Sequence, residues 1–323
     1  MKTGITMNPD APPGTLIQIV KQAEDLGFSY VYVADQGFSR DVYVTLTLLA
    51  SATNKIHLGP GVTHPYTRHP VVAAVSIASL DEFSGGRAFL GLGAGGSRTL
   101  EPLQLTRTNP LQMCREAATI ARRLWQGAAV NYQGNHFQLK EAGLNFPVRA
   151  DIELHWAARG PKMLALGGEL ADVVMLNGIP HFELENVVKH VRAGAERAGG
   201  RKVQLQYAVP LVYDEASRES ARMRTVYRLV DSAEHVKAKL GISPELNAEM
   251  RRLVTEKGPQ AAAHLVSDEL LQHFILEGTP DDNANTLHHL FKTYGLDGLT
   301  IEVHDPLSAT TLLPRAAEIV NRL

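Results

Sequence analysis

The chain has 323 residues, 44% hydrophobic and 20% charged, with a formal net charge of −2. That is an ordinary globular composition, and it lacks the clustered positive field that nucleic-acid phosphates or an anionic membrane would require. A single cysteine, Cys114, excludes an intrachain disulfide and fits a reducing compartment. No apolar run approaches the roughly 18 residues that cross a bilayer, and the N-terminal MKTGITMNPD lacks the apolar core of a secretory signal. A cytoplasmic protein is expected.

The elements alternate from the start. KTGITM is a short strand, and residues 14–26 repeat apolar positions at helical spacing until Gly27 offers a C-cap. FSYVYVAD reads as a strand, VYVTLTLLASAT as a helix, IHLGPGVT as a strand and PVVAAVSIASLDEFS as a helix stopped by Gly85 and Gly86. RAFLGLG is a fourth strand, and residues 110–126 form a fourth helix that carries Cys114, read as a buried structural thiol. After a gap the pattern resumes with ELHWAA, PKMLALGGEL, ADVVMLNG, FELENVVKHVRAGAERAG and VQLQYAVPLVY. It closes with TPDDNANTLHHLFKTYG, LDGLTIEVH and SATTLLPRAAEIVNRL. Strand–helix alternation with short joints implies right-handed βαβ units and a parallel sheet. Eight strands favour a closed (β/α)8 barrel, a TIM barrel, over an open sheet. A single α/β domain over 1–323 is expected, with insertions near 127–150, where a hairpin is read, and 214–277, a charged helical excursion suited to a lid or an interface.

In such a barrel the reactive groups lie at the C-terminal ends of the strands. This selects Thr6 and Asn8, then Asp35 and Gln36, then Gly61, Val62, Thr63 and His64. It also selects Gly93, Ala94, Gly95 and Gly96, then Ala158, Arg159 and Gly160, then Asn177, and finally Glu302, His304 and Asp305. Small residues at these points let a ligand approach the backbone. AARGPKM adds a helix with Pro161 in its first turn, either an ordinary βα turn or a seat for a phosphate. GLGAGG follows the fourth strand without an acidic ribose partner, so it is a weak dinucleotide motif. His57 and His155 sit inside strands and read as packed or hydrogen-bonded, whereas His64 and His69 flank PYTR beyond the third strand. No HExxH, CxxC, GxSxG or P-loop spacing occurs, so no metal site and no hydrolytic centre is expected. Asp281 and Asp282 follow GTP as a helix N-terminus would, not as a catalytic pair.

LGPGVTHPYTRHP and SIASLDEFSGGRAFLGLGAG resemble the luciferase-like oxidoreductase superfamily, and within it the deazaflavin-dependent methylenetetrahydromethanopterin reductases. AEDLGFSYVYVAD, AARGPKMLALGGELADVVMLNG, EGTPDDNANTL and the hairpin VNYQGNHFQL agree. The resemblance spans the chain and independently implies a (β/α)8 barrel. It places a non-prolyl cis peptide at Gly61–Val62 beside the cofactor ring. It implies coenzyme F420 as cofactor, or FMN in the alternative, held by Asp35, Gly61, Val62, Thr63, Gly93, Ala94, Gly95, Ala158, Arg159, Gly160 and Asn177. It also implies a homodimer, which fits apolar residues on more than one face of the second and third helices.

Two departures stand out. The pterin reductases carry a glutamate where this chain has Thr6, and related deazaflavin dehydrogenases carry a histidine where it has Gln36. Neither threonine nor glutamine transfers protons readily at neutral pH. Gln36, His64 and Glu302 are therefore the candidate catalytic residues, with His304 as a further proton source. The expected activity is hydride transfer between coenzyme F420 and a small organic substrate. An FMN-dependent monooxygenase and a non-catalytic ligand-binding barrel are the alternatives.

Overall fold

The computed structural model describes residues 1–303 and 305–323, without the side chains of Ser97 and Arg98. The candidate His304 therefore lies outside the described residues. Eight parallel strands form the barrel: β1 (Lys2–Met7), β2 (Tyr30–Val33), β3 (His57–Pro60), β4 (Phe89–Leu92), β5 (Glu153–Ala157), β6 (Val173–Asn177), β7 (Gln204–Val209) and β8 (Gly298–Val303). They pair in the order β3, β2, β1, β8, β7, β6, β5, β4. The remaining seam, between β3 and β4, closes through the parallel bridges Leu58–Ala88 and Thr63–Leu92. The fold is the expected (β/α)8 barrel.

The outer ring comprises α1 (Pro13–Asp25), α2 (Val42–Ala52), α3 (Pro70–Phe83), α4 (Pro110–Trp125), α5 (Pro161–Leu170), α6 (Leu184–Arg197), α7 (Pro280–Tyr294) and α8 (Ala309–Val320). Each begins and ends for local reasons. Pro stands in the first turn of α1, α3, α4, α5 and α7, where its missing N–H costs nothing. Asp41 caps α2 by accepting from the amides of Tyr43 and Val44. Thr279 and Asp282 cap α7 reciprocally, which is the structural role expected of Asp282. In α1 the buried Leu16, Ile19, Val20 and Ala23 recur at helical spacing and face the barrel.

The β3–β4 seam depends on glycine. A Cβ on Gly59 would lie 2.3 Å from the Phe89 carbonyl oxygen, and one on Gly91 would lie 1.9 Å from that of Pro60. No side chain fits between the two backbones there. The segment IHLGPGVT is expected as one strand, but β3 stops at Pro60, the Gly61–Val62 peptide is cis, and pairing resumes only at Thr63. VQLQYAVPLVY is broken likewise. Pro210 has no N–H to donate; β7 ends at Val209, and Leu211–Val212 pairs elsewhere, with Leu276–Glu277.

Inside the barrel the lower layers are polar as well as aromatic. The Tyr32 hydroxyl meets His155 Nδ1 at 3.0 Å, His155 Nε2 meets Glu153 at 3.0 Å, and the Tyr30 hydroxyl donates to Glu153 at 3.1 Å. His155 stacks on Phe89, with ring centres 4.1 Å apart. This is the hydrogen-bonded core histidine that its strand position suggests.

Two excursions leave the barrel. The hairpin Val130–Gln133 and Gln138–Ala142 is anchored by the buried Glu116, which accepts from the amides of Asn135, His136 and Phe137. The segment 214–277 buries its own apolar cluster, including Val226, Leu229, Met250, Leu271 and Phe274. Its helix Glu215–Val230 opens with a reciprocal Asp214–Ser217 cap and crosses the barrel mouth.

Candidate active site

A cavity of about 540 Å³ opens at the C-terminal ends of the strands. The parallel barrel puts every βα loop at that end, so residues far apart in sequence converge. From β2 come Ala34, Asp35 and Gln36, and from β3 Gly61, Val62 and His64. The loop after β4 contributes residues 93–96, the end of β5 Ala157, Ala158, Arg159 and Gly160, and β6 Met175 and Asn177. Glu302 comes from β8. The floor is apolar: Val62, Ala157 and Met175 rest on the aromatic layer of Tyr32 and Phe89.

Around this floor the polar groups are held individually. Gln36 donates to Asn8 at 3.2 Å, and Asp35 accepts from the Thr63 hydroxyl at 2.6 Å. His64 is 3% exposed, and neither ring nitrogen has a hydrogen-bond partner among the described residues. Burial pushes its pKa below the usual imidazole value, so it stands at the wall as a neutral ring with an open donor and acceptor. Gly95, at φ +70°, passes close over it; a Cβ there would meet His64 Cγ at 3.2 Å. Cys114 lies behind this loop, its thiol 3.3 Å from the Gly93 carbonyl oxygen. Burial pushes that thiol up to about 12, which leaves it unreactive.

The start of α5 is open. Gly160 is its N-cap, and no side chain caps it. A Cβ at Gly160 would meet nothing within 4 Å. Space is thus open beside the N-cap, at the positive end of the helix. The cavity also holds Arg107, Arg159, Arg224 and Arg228 against Asp35, Asp231 and Glu302. Arg159 lies 3.5 Å from Asp231, and Arg228 grips both oxygens of the buried Glu302.

Of the fourteen residues named as catalytic (Gln36, His64 and Glu302) or cofactor-holding, thirteen therefore line one cavity. The exception among the described residues is Thr63. It is 1% exposed, and it stands behind Asp35 instead of facing the space. Sequence reasoning missed Arg224, Tyr227, Arg228 and Asp231, all on the excursion helix or its C-cap. Their spacing, i, i+3, i+4 and i+7, is that of one helical face, opposite the apolar Val226, Leu229 and Val230.

The family model for Luciferase-like monooxygenase matches residues 2–298. The chain belongs to this luciferase-like family. Within it, the chain is 36% identical over 302 residues to a 5,10-methylenetetrahydromethanopterin reductase of Archaeoglobus fulgidus, covering 90% of each protein. It is 36% identical over 297 residues to one from Methanolobus tindarius, again covering 90% of each. The solved structure of the coenzyme F420 dependent tetrahydromethanopterin reductase of Methanopyrus kandleri superposes with a TM-score of 0.86 at 27% identity, over 99% of this chain and 96% of that one. The luciferase-like fold expected from the motifs is thus shown, and these relatives are oxidoreductases by name.

Proposed function

We propose that the protein is an oxidoreductase that transfers a hydride between coenzyme F420 and a small organic substrate, of the kind its methylenetetrahydromethanopterin reductase relatives are named for. The observation that carries this reading is the pairing, in one cavity, of an apolar floor with an uncapped helix end. The floor suits a planar ring system, and the helix end suits a phosphate. When bound, the deazaflavin supplies a carbon centre that gives or takes a hydride. The protein does the rest. Val62, Ala157 and Met175 support the ring, while Gly93, Ala94 and Gly95 leave room beside it. Gly160 and the first turn of α5 receive the phosphate, with Asp35, Arg159 and Asn177 around the polar edges. Gln36 orients the reactants through its hold on Asn8. A methylene carbon that accepts a hydride becomes a methyl group, and the nitrogen it leaves takes a proton. His64 and Glu302 are the titratable groups placed to handle that proton.

The partner surface and location belong to the same proposal: a cytoplasmic homodimer joined through α2 and α3. Phe38, Val44, Val72 and Phe83 support the interface, since they are 66%, 71%, 48% and 68% exposed on or beside these helices.

Titration of the purified protein with F420, FMN and a reduced nicotinamide tests the cofactor. F420 should bind at least about tenfold tighter than either rival, roughly 1.4 kcal/mol. Reduced F420 should then lose its electrons to methylenetetrahydromethanopterin, read from the deazaflavin absorbance. Preferential FMN binding with oxygen consumption would replace this reading by a monooxygenase.

A further inference from the structure

Two apolar cores that share no residue divide the molecule. Among the described residues the barrel's core draws on nothing from 214 to 275, and the core of the excursion lies wholly within 212–275. The boundary falls at the short strand pair where the chain leaves the barrel and returns. Leu211 and Leu276 belong to the barrel's core, Val212 and Ile275 to the excursion's. We propose that the excursion is a lid, which swings on this strand pair as one rigid body to admit ligands and close over them. The proposal rests on the reading of the main cavity as the ligand site.

Polar groups join the two units. Arg228 of the lid holds Glu302 of β8 in the cavity mouth, with side chains 9% and 4% exposed, and Asp231 lies 3.5 Å from Arg159. On the flank Glu183, in the turn between β6 and α6, accepts from His235 at 2.8 Å and from Lys239 at 3.4 Å. The His181 amide donates to the His273 carbonyl at 2.9 Å, and the Phe182 ring meets the His273 ring edge-on.

A junction of this kind opens readily. Units with separate apolar cores move against each other by default, because parting them exposes neither core, and each moves as one cooperative piece. Charged groups that part at the mouth regain water there. The hinge is defined as well. Pro210 precedes the outgoing strand, and Gly278, at φ +125°, follows the returning one; a few residues at element ends absorb such a swing. Closure carries Arg224, Tyr227, Arg228 and Asp231 onto the cavity, where they cover a bound ligand and exclude water. The Arg228–Glu302 pair is the inner latch, and Glu183 anchors the outer one.

The distance between two spin labels reads the swing directly. The native Cys114 is buried, so labels attach only to introduced thiols. Lys21→Cys on α1 and Ala248→Cys on the lid helix Pro244–Lys257 use exposed positions. Excess unlabelled protein is mixed in, so that only distances within one chain are read. Without ligand, the otherwise unaltered protein should show a main closed distance and a minor open one. Glu302→Gln, which weakens the inner latch, should raise the open share several-fold. Asp231→Asn/Glu183→Gln makes the same comparison if Glu302→Gln fails to fold. Hydrogen exchange then separates swinging from unfolding. In the latch variant the His181 amide should exchange faster, while amides inside the helix Glu215–Val230 keep their protection. Distances unmoved by the latch variants, or helix amides that lose protection together with His181, overturn the lid. Saturating F420 should suppress the open distance. If F420 binds by titration and the open share persists, closure over the ligand is overturned. If F420 does not bind while the latch variants still open, the reading of the cavity falls and the lid stands.

Discussion

At the scale of single residues, Gly160 and Arg228 make the sharpest demands. Gly160 has an ordinary φ of −79° and open space where a Cβ would go. Gly160→Leu should therefore fold normally and place its side chain where the ligand belongs. The expected loss of F420 affinity is at least about tenfold, roughly 1.4 kcal/mol, checked by titration against an unchanged thermal melt. Arg228→Leu should act on stability instead, because it strands the buried Glu302 carboxylate. Removing one partner of a buried ion pair costs about 3–5 kcal/mol, which urea unfolding would read, and Arg228→Leu/Glu302→Leu should recover much of it. Both sites also show what one-dimensional reading delivers. The strand-end rule found Asp35, Gln36, His64 and Glu302 because a parallel barrel converts chain position directly into depth. It overshot at Thr63, since alternate residues point to opposite faces and Thr63 turns behind Asp35. It could not find Arg228, because no local pattern connects a helix residue with a carboxylate 74 positions later.

At the scale of elements, the β3–β4 seam is the narrowest fit in the barrel. Gly91→Ala would put a methyl group 1.9 Å from the Pro60 carbonyl oxygen, and backbone cannot yield as a side-chain tip can. We expect a loss of about 3 kcal/mol, at the upper end for overpacking. Hydrogen exchange should localise it, with the Thr63 amide, which donates to the Gly91 carbonyl at 2.9 Å, opening first. All eight helices of the ring and the barrel itself were legible because period, caps and prolines agree with one another. The breaks at Pro60 and Pro210 were written in the same sequence, but apolar run-length outweighed them in the reading. The fate of residues 214–277 was not legible, because their apolar face packs on itself and carries no local mark of where it docks.

The whole molecule carries a pH dependence through the barrel interior. Burial depresses the His155 pKa, so the ring is neutral, accepting from Tyr32 and donating to Glu153. The unfolded chain binds a proton on this histidine below about pH 6.5 while the folded barrel resists it. Its contribution to stability is therefore complete above that pH and is lost as pH falls through it. Glu153 is held at about 2, first by the hydrogen bond from His155, and its contribution is lost only below the ordinary glutamate range. Urea unfolding of wild type should weaken between pH 7.5 and 5.5, whereas His155→Gln, which keeps a donor and an acceptor, should show a flatter profile over that interval. Association is tested on the same scale. Val44→Glu with Val72→Glu should convert a dimer to a monomer by light scattering, and a monomeric wild type would remove the interface.

The two-residue strands Leu211–Val212 and Leu276–Glu277 lie side by side, although 63 residues separate their inner ends. Paired strands run roughly 4.8 Å apart, so the chain leaves the barrel and returns to it almost at one point. Anything joined across that point satisfies the barrel equally well. The excursion is in effect an interchangeable cartridge: it supplies Arg224, Tyr227, Arg228 and Asp231, while the floor and the helix end belong to the permanent frame. A lineage could exchange the cartridge and acquire a new substrate in one event, keeping the old cofactor.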